Sequence, residues 1–401
     1  MGGRIMAEKR KTSVNYLSAY LSDHKPSKHW AYGVLYPHST RIVGLESEDA
    51  IKSPQATFSY ERYDTPALAQ LRERYDLDSV VSGANSQFEE FVLLNEWVYN
   101  KIPGGDPEPD VPWDSLSILE DIEKGKKFFC VHYALVFVQC ALALGYQGRM
   151  VQIWEEEKGL SGHSVAEVWS DEFNKWIAFD PSGNFHYEKN GVPLGALEIH
   201  KVWLSGDFEG LKEVPKMPPD GRGLSHAGKP YSELFKDGGP KHTGMYFHLR
   251  IIMRNDWFSR SWGEVSDPQG LNPEVPPYLH SRDTLHWTDD RTPPLANHQN
   301  TSVEREFNWP INFVRLWFDM KWPLRLLDVH MTSQMPNHRD FMVRLNGAEW
   351  QKKPEHFEWE LKDGDNKIEV KPVNHWGREG TTTEVILHFD KEEAEVERRS
   401  Y

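Results

Sequence analysis

Apolar positions change period several times along this chain. From Ser86 onward, Phe88, Phe91, Leu94, Trp97 and Val98 recur every three or four residues, so they share one face of a helix. Ser86, followed three residues later by Glu89, marks the start of that helix as a capping box. A loop rich in proline and glycine, from Pro103 to Pro112, interrupts the pattern before a short helix near Ser115 to Lys124. Residues Cys130 to Leu144 are then apolar almost all round and stop at Gly145, which predicts a central buried helix. Alternation with period two takes over in three further segments, about Arg149 to Trp154, His163 to Ser170 and Lys175 to Asp180, each a predicted strand.

Outside this block the pattern is looser. Residues 1–85 are mixed, with a candidate strand from Trp30 to Tyr36 and a helix from about Pro66 to Tyr75, and they carry no visible chemistry. Between Pro215 and Lys241 the chain is rich in Gly, Pro, Lys and Asp, and turn signals continue at Asp267 to Gly270, Asn272 with Pro273, and Pro276 with Pro277. Residues 215–300 therefore read as an excursion and connecting region. Alternation returns after Thr301, in Asn312 to Phe318, Phe341 to Leu345, Asn366 to Lys371 and Thr382 to Phe389, the pattern of a small antiparallel β-sandwich over 301–390. A charged tail, 391–401, is expected to fray. The fold class is α+β: an N-terminal mixed region (1–85), a core (86–214), the connecting region, the sandwich and the tail. Asp363 to Asn366 has the outline of a calcium loop, but Asn374 stands where Glu is needed, so it reads as a hairpin turn.

Composition narrows the function classes. In 401 residues, 46 basic and 61 acidic side chains give a net charge of −15 with no long basic run, so no nucleic-acid partner is expected. No run of 18 apolar residues is present and the basic start is not followed by an apolar stretch, so no membrane partner is expected. The expected location is cytoplasmic, with export through a removed signal left open. Cys130 and Cys140 point about 80° apart on one helix, too far apart to bridge. No cofactor and no metal are expected, since two cysteines and histidines without HExxH spacing offer no zinc set. The sixteen Trp and fifteen Tyr read as core filler rather than ligand platform, and Glu155 to Glu157 as a solvated acidic turn rather than a specificity loop.

The candidate chemistry is an ordered set: Cys130, His163, Asp180. Cys130 opens the central helix, where unpaired N–H groups and the helix dipole favour a thiolate. Cys140, in mid-helix, reads as a small core hydrophobe. If the hairpin tip is Asp171 to Asn174, Ser170 pairs with Lys175 and Val165 lies opposite Asp180. His163 then shares a face with Asp180 on the diagonal, roughly 7 Å away between backbones. A tip one residue longer would put the two on opposite faces. Taken singly, each residue has a bland reading as cap, loop or core; together they favour a nucleophile, a base and an orienting acid.

These residues, namely Cys130 to Ala134, Leu144 to Tyr146 with Arg149, His163 to Trp169 and Trp176 to Pro181, resemble the transglutaminase-like superfamily, of bacterial type, over roughly Ser86 to Trp203. The resemblance implies a transglutaminase-like (papain-like) core with Cys130 as nucleophile, His163 as base and acid, and Asp180 as orienter. Animal crosslinking members read Gly-Gln-Cys-Trp at the nucleophile, bacterial relatives usually have Gly two residues before it, and here Phe128 and Phe129 precede Cys130. Peptide:N-glycanases of this fold carry paired zinc cysteines, which two cysteines cannot supply. The expected activity is hydrolysis of an amide or peptide bond, as a protease or amidase, in a peptide, protein or glycopeptide substrate. Two alternatives stay open: a protein-glutamine acyltransferase with the same triad, and a non-catalytic glycan- or protein-binding scaffold. The oxyanion would meet the Cys130 N–H; Trp113, upstream, reads as packing rather than as a second donor.

Overall fold

A computed structural model describes residues 40–46, 58–105, 107, 111–156, 162–214, 243–260, 284–295, 299–321 and 325–399. The candidate strand at Trp30 to Tyr36, the Pro215 to Lys241 stretch and the turns between 267 and 277 lie outside these residues. Two compact units emerge, one of Ala50–Ile311 with His375–Arg378, the other containing Asn312–Asn374 and the chain from Glu379. The first strand, β1 (Thr40–Glu46), pairs within the second unit.

The first unit begins with helices α1 (Pro66–Arg74), α2 (Leu77–Val81), α3 (Gln87–Lys101), α4 (Ser115–Glu123) and α5 (Cys130–Ala143). Strands β2 (Gly148–Trp154), β3 (His163–Ser170), β4 (Lys175–Asp180), β5 (Phe185–Lys189) and β6 (Val192–Pro193) follow, then helix α6 (Ala196–Ser205) and strand β7 (Leu211–Val214). Strands β8 (His248–Ile252), β9 (Thr284–Trp287) and β10 (Gln299–Thr301) complete a sheet of order β10-β9-β8-β2-β3-β4-β5-β6, with β7 also on β5, and short helix α7 (Glu304–Phe307) follows. The pairing is antiparallel except between β9 and β10.

Alternate residues of this sheet enter two different cores. Met150, Ala166, Val168, Ile177 and Phe179 pack with α1 to α5, while Val151, Ile153, Val165, Ala178 and Leu249 pack with Leu197 and Ile199 of α6. Successive strand side chains point to opposite faces, so the sheet is covered on both. That is why β2 and β3 are buried along their whole length. Helix α5 is the deepest element: every residue after Cys130 is buried, and Gly145 ends it at φ +89°, a conformation cheap only for glycine.

Three expectations change. The connecting region supplies β8 and β9 to the sheet; these segments of five and four residues are too short to show a period beside long turn-rich stretches. The boundary expected at residue 85 is not one, because Leu68, Leu71, Leu77 and Val81 belong to the same core as α5. Nor does the second unit start at 301, since Phe307 and Ile311 pack in the first.

The second unit holds two sheets. One is β1-β17-β16-β13-β14, from β13 (His338–Leu345), β14 (Gln351–Lys353), β16 (Gly364–Asn374) and β17 (Thr383–Phe389); the other is β11-β12-β15, from β11 (Val314–Lys321), β12 (Leu326–Ser333) and β15 (His356–Glu360). Val329, Trp359, Ile368 and Leu387 from both sheets form one core, which makes the unit an antiparallel sandwich as expected. Asn366 closes the turn before β16 by accepting from Lys362 N and donating to Lys362 O, at 2.8 and 2.7 Å, as a hairpin residue does. The tail does not fray: α8 (Lys391–Arg399) forms because Asp390 caps it, accepting from Glu393 N at 3.0 Å, and Ala394 enters the core.

Inside the doubly covered sheet Arg149 and Glu167 face each other in register, both fully buried. Arg149 Nη2 lies 2.6 Å from Glu167 Oε2, Nη1 donates to Phe307 O at 2.8 Å, and the guanidinium sits 4.2 Å from the Trp176 ring centroid and 4.4 Å from that of Trp309. Glu167 Oε1 accepts from Ala196 N at the start of α6, at 2.7 Å. Removing one partner leaves a buried, unpaired charge, so Arg149→Met is expected to lose about 3–5 kcal/mol of stability. Chemical denaturation of the Arg149→Met, Glu167→Leu double variant should recover part of that loss; a double variant less stable than either single would contradict this account.

Candidate active site

The start of α5 is fixed from the residues before it. Phe128 is fully buried; its N–H donates to Pro103 O at 3.1 Å and its carbonyl accepts from Gly105 N at 3.0 Å. Tyr133 Oη, one turn into the helix, donates to Ile102 O at 2.6 Å. Phe128 thus anchors the strap beneath the helix mouth. Phe129 occupies the N-cap in an extended conformation and no side chain caps the helix. The positive end of the helix dipole therefore lies without a side-chain cap at Cys130, the one α5 residue that is not buried, while the His132 N–H donates to Phe129 O at 2.9 Å. Cys140 is fully buried, and burial pushes its thiol pKa up, which makes it a poor nucleophile.

The hairpin of β3 and β4 has the register on which the pairing of His163 with Asp180 depends. Ser170 pairs with Lys175 and Ala166 with Phe179, so Asp171 to Asn174 form the tip, with Asn174 at φ +52°. Gln87, in the first turn of α3, holds that tip: its Oε1 accepts from Asp171 N at 2.7 Å and from Glu172 N at 3.2 Å. The capping box at the same helix start is only half formed. Glu89 N donates to Ser86 Oγ at 3.2 Å, but the Glu89 carboxylate turns to Asn85 N, at 2.7 Å.

His163 Nε2 and Asp180 Oδ2 are 2.6 Å apart, both residues being about 95% buried. The other Asp180 oxygen accepts from Ser182 N, Ser182 Oγ and Gly183 N at 3.0, 2.8 and 3.0 Å. Burial alone would raise the Asp180 pKa; His163 and these donors outweigh it and hold the carboxyl below its ordinary range. For His163 burial again opposes the charged form, but the Asp180 charge, then Cys130, with hydrogen bonds to both, raise its pKa. Nε2 is taken by Asp180, which leaves Nδ1 for the Cys130 thiol. The structure thus brings together all three residues singled out in the sequence.

Sequence reasoning missed three supporting features. Ser182 and Gly183 were legible in principle, since Asp180, Pro181, Ser182 and Gly183 spell a turn in which an Asp side chain caps its own backbone. Gly162 is demanded by close approach: a Cβ there would lie 2.1 Å from Ile153 O and 2.8 Å from Trp154 Cβ. His132 is fully buried, and burial drives its pKa down to about 3 against the opposing effect of the Phe129 backbone. It stacks on Trp113 at 4.9 Å with 20° between planes, and Phe128 and Phe129 flank it at 5.0 and 4.8 Å. Trp113 therefore packs, as expected. Among the described residues no group of three or more His, Cys, Asp or Glu is arranged to hold a metal, and no helix is long and apolar enough to cross a membrane.

With this geometry in hand, comparisons with known proteins are informative for one segment. Residues 77–181 match the family model of the transglutaminase-like superfamily. No curated protein matches the chain. Among solved structures, red sea bream transglutaminase aligns with 10% identity over 82% of this chain and 73% of that one, at a TM-score of 0.23, a likeness too slight to argue from.

Two outcomes follow from the geometry. Gly162→Ala should displace the start of β3 and slow Cys130 alkylation while Gly83→Ala, whose Cβ would meet only Leu93 at 4.0 Å, does not. The His163 and Asp180 pair should stabilise the fold across a neutral window. Asp180, with a lowered pKa, contributes above the ordinary carboxylate range and its contribution is lost as pH falls; His163, with a raised pKa, contributes from low pH and its contribution is lost as pH rises past the ordinary imidazole range. Thermal unfolding against pH should show both flanks, and Asp180→Asn should flatten them; unchanged flanks in that variant would show that other groups set them.

Proposed function

We propose, from the match of residues 77–181 to the transglutaminase-like superfamily model, that the chain is a cysteine-dependent acyl-transfer enzyme that hydrolyses an amide or peptide bond, a protease or amidase. The observation that carries the reading is the buried His163 and Asp180 pair beside a cysteine at an uncapped helix start.

In the resting site a raised His163 pKa favours imidazolium, and the helix start favours thiolate, so the two form an ion pair ready for attack. The Cys130 sulfur adds to the carbonyl carbon of a peptide, protein or glycopeptide amide. The resulting oxyanion faces the N–H groups of the first turn of α5, that of Cys130 among them. His163 gives its proton to the leaving nitrogen, the C–N bond breaks, and the amine departs from a Cys130 thioester. Neutral His163 then takes a proton from water, which attacks the thioester. Collapse releases the carboxylic acid and restores the thiolate. Asp180 acts throughout by fixing the ring orientation and stabilising its charged form, with Ser182 and Gly183 holding the carboxylate.

Alkylation by iodoacetamide, measured against pH, tests the ion pair directly. Cys130 should react well below pH 8.5, the ordinary thiol range, and lose that reactivity in His163→Ala; a rate that follows ordinary thiol titration in both proteins overturns the reading. In a screen on peptide and glycopeptide libraries, Cys130→Ala should abolish turnover and Asp180→Asn should lower kcat by about 10²- to 10⁴-fold. Incorporation of an added amine into a glutamine donor, in place of hydrolysis, would instead identify an acyltransferase.

A further inference from the structure

Among the described residues only two tryptophans are exposed, Trp203 at 39% and Trp317 at 45%. Scattered exposed aromatics are ordinary; the mounting of Trp317 is not. It lies on β11, the edge of the sheet β11-β12-β15, directly opposite His330, which in turn lies opposite His356. The three rings stack across the three strands. Trp317 and His330 have centroids 5.5 Å apart and planes 3° from parallel; His330 and His356 are 5.1 Å apart at 15°. One face of the indole is thereby fixed, and among the described residues no further strand borders the other.

Two residues along the strands, on the same face, Asp319 lies opposite Asp328 and Asp328 opposite Glu358. Like charges directly opposite are destabilising in a sheet. Two imidazoles lie beside this row: His330 Nε2 is 3.0 Å from Asp319 Oδ2, and His356 Nε2 is 3.2 Å from Asp328 Oδ1. Neither the ring row nor the carboxylate row contains Lys or Arg. The sheet therefore maintains, at a cost to itself, a rigid aromatic ring next to three acidic side chains.

We propose that this face of the sandwich binds a basic peptide segment, with a Lys or Arg head group over the open face of Trp317 and further basic side chains along Asp319 and Glu358. A cation gains from both features, through the ring quadrupole and through the carboxylates. A neutral saccharide would use the ring but gain little from a carboxylate row, and an acidic ligand would be repelled by it. This inference is independent of the Cys130 chemistry.

Fluorescence anisotropy of the full chain with a labelled Lys- and Arg-rich peptide, at low and at physiological salt, tests it. The peptide should bind, more weakly at the higher salt, and its counterpart with every Lys and Arg replaced by Gln should not. Trp317→Ala should weaken binding by about three- to thirtyfold, Trp317→Tyr by less, and Asp319→Asn should lower both the affinity and its salt dependence. All three variants should keep the thermal midpoint and the Cys130 alkylation rate. Equal binding of the Gln peptide, binding unaffected by Trp317→Ala and Asp319→Asn alike, or Trp317-dependent binding of a neutral oligosaccharide would each overturn the proposal.

Discussion

A sheet covered on both faces governs the first unit. Polar groups on its central strands have no water to turn to, so each charge must meet a partner within the protein. The strand β3 shows what this demands: on one face it carries His163, which meets Asp180, and Glu167, which meets Arg149. The same burial that makes an unpaired charge costly makes a paired one specific. Asp180 binds four donors and Glu167 binds both an arginine and a helix start, so neither carboxylate has freedom to wander.

The arrangement at Cys130 depends on three distant supports. The Pro103 to Gly105 strap holds Phe128 and so fixes where α5 begins. Gln87 holds the hairpin tip and so fixes which residues of β3 and β4 stand opposite each other. Gly162 lets the chain enter β3 tightly against Ile153 and Trp154, which brings His163 to the end of the sheet. None of these groups belongs to the candidate set of Cys130, His163 and Asp180, yet each sets an angle or register on which the contact depends. A one-residue slip in the hairpin would turn His163 away from Asp180 entirely.

Much of this was legible without coordinates. The three strands β2, β3 and β4 fall within one residue of where alternation places them, and the apolar run from Cys130 does form the deepest helix. Local rules succeeded there because burial on known faces imposes a period. They failed for β8, which pairs with β2 about a hundred positions earlier, for β9, which pairs with β8 more than thirty positions earlier, and for α8, whose helix is secured by one cap and one buried alanine. The reading of all tryptophans as core filler also fails at Trp317, since alternation in β11 shows which residues share a face but not that three rings on three strands come into line.

By itself the sequence determined the central helix, the three strands after it and the candidate groups they carry: a cysteine at a helix start, a histidine opening one strand and an aspartate closing the next. These follow from periodicity and chain order, which are local. Tertiary structure alone decided that Glu167 is satisfied by Arg149 and by the N–H of Ala196, that His132 is enclosed among Trp113, Phe128 and Phe129, and that an acidic row lies beside Trp317. Those outcomes depend on which distant segments are packed together and how much water they exclude. Hydrogen bonding and charge interactions are set by that exclusion, which no single stretch of sequence encodes.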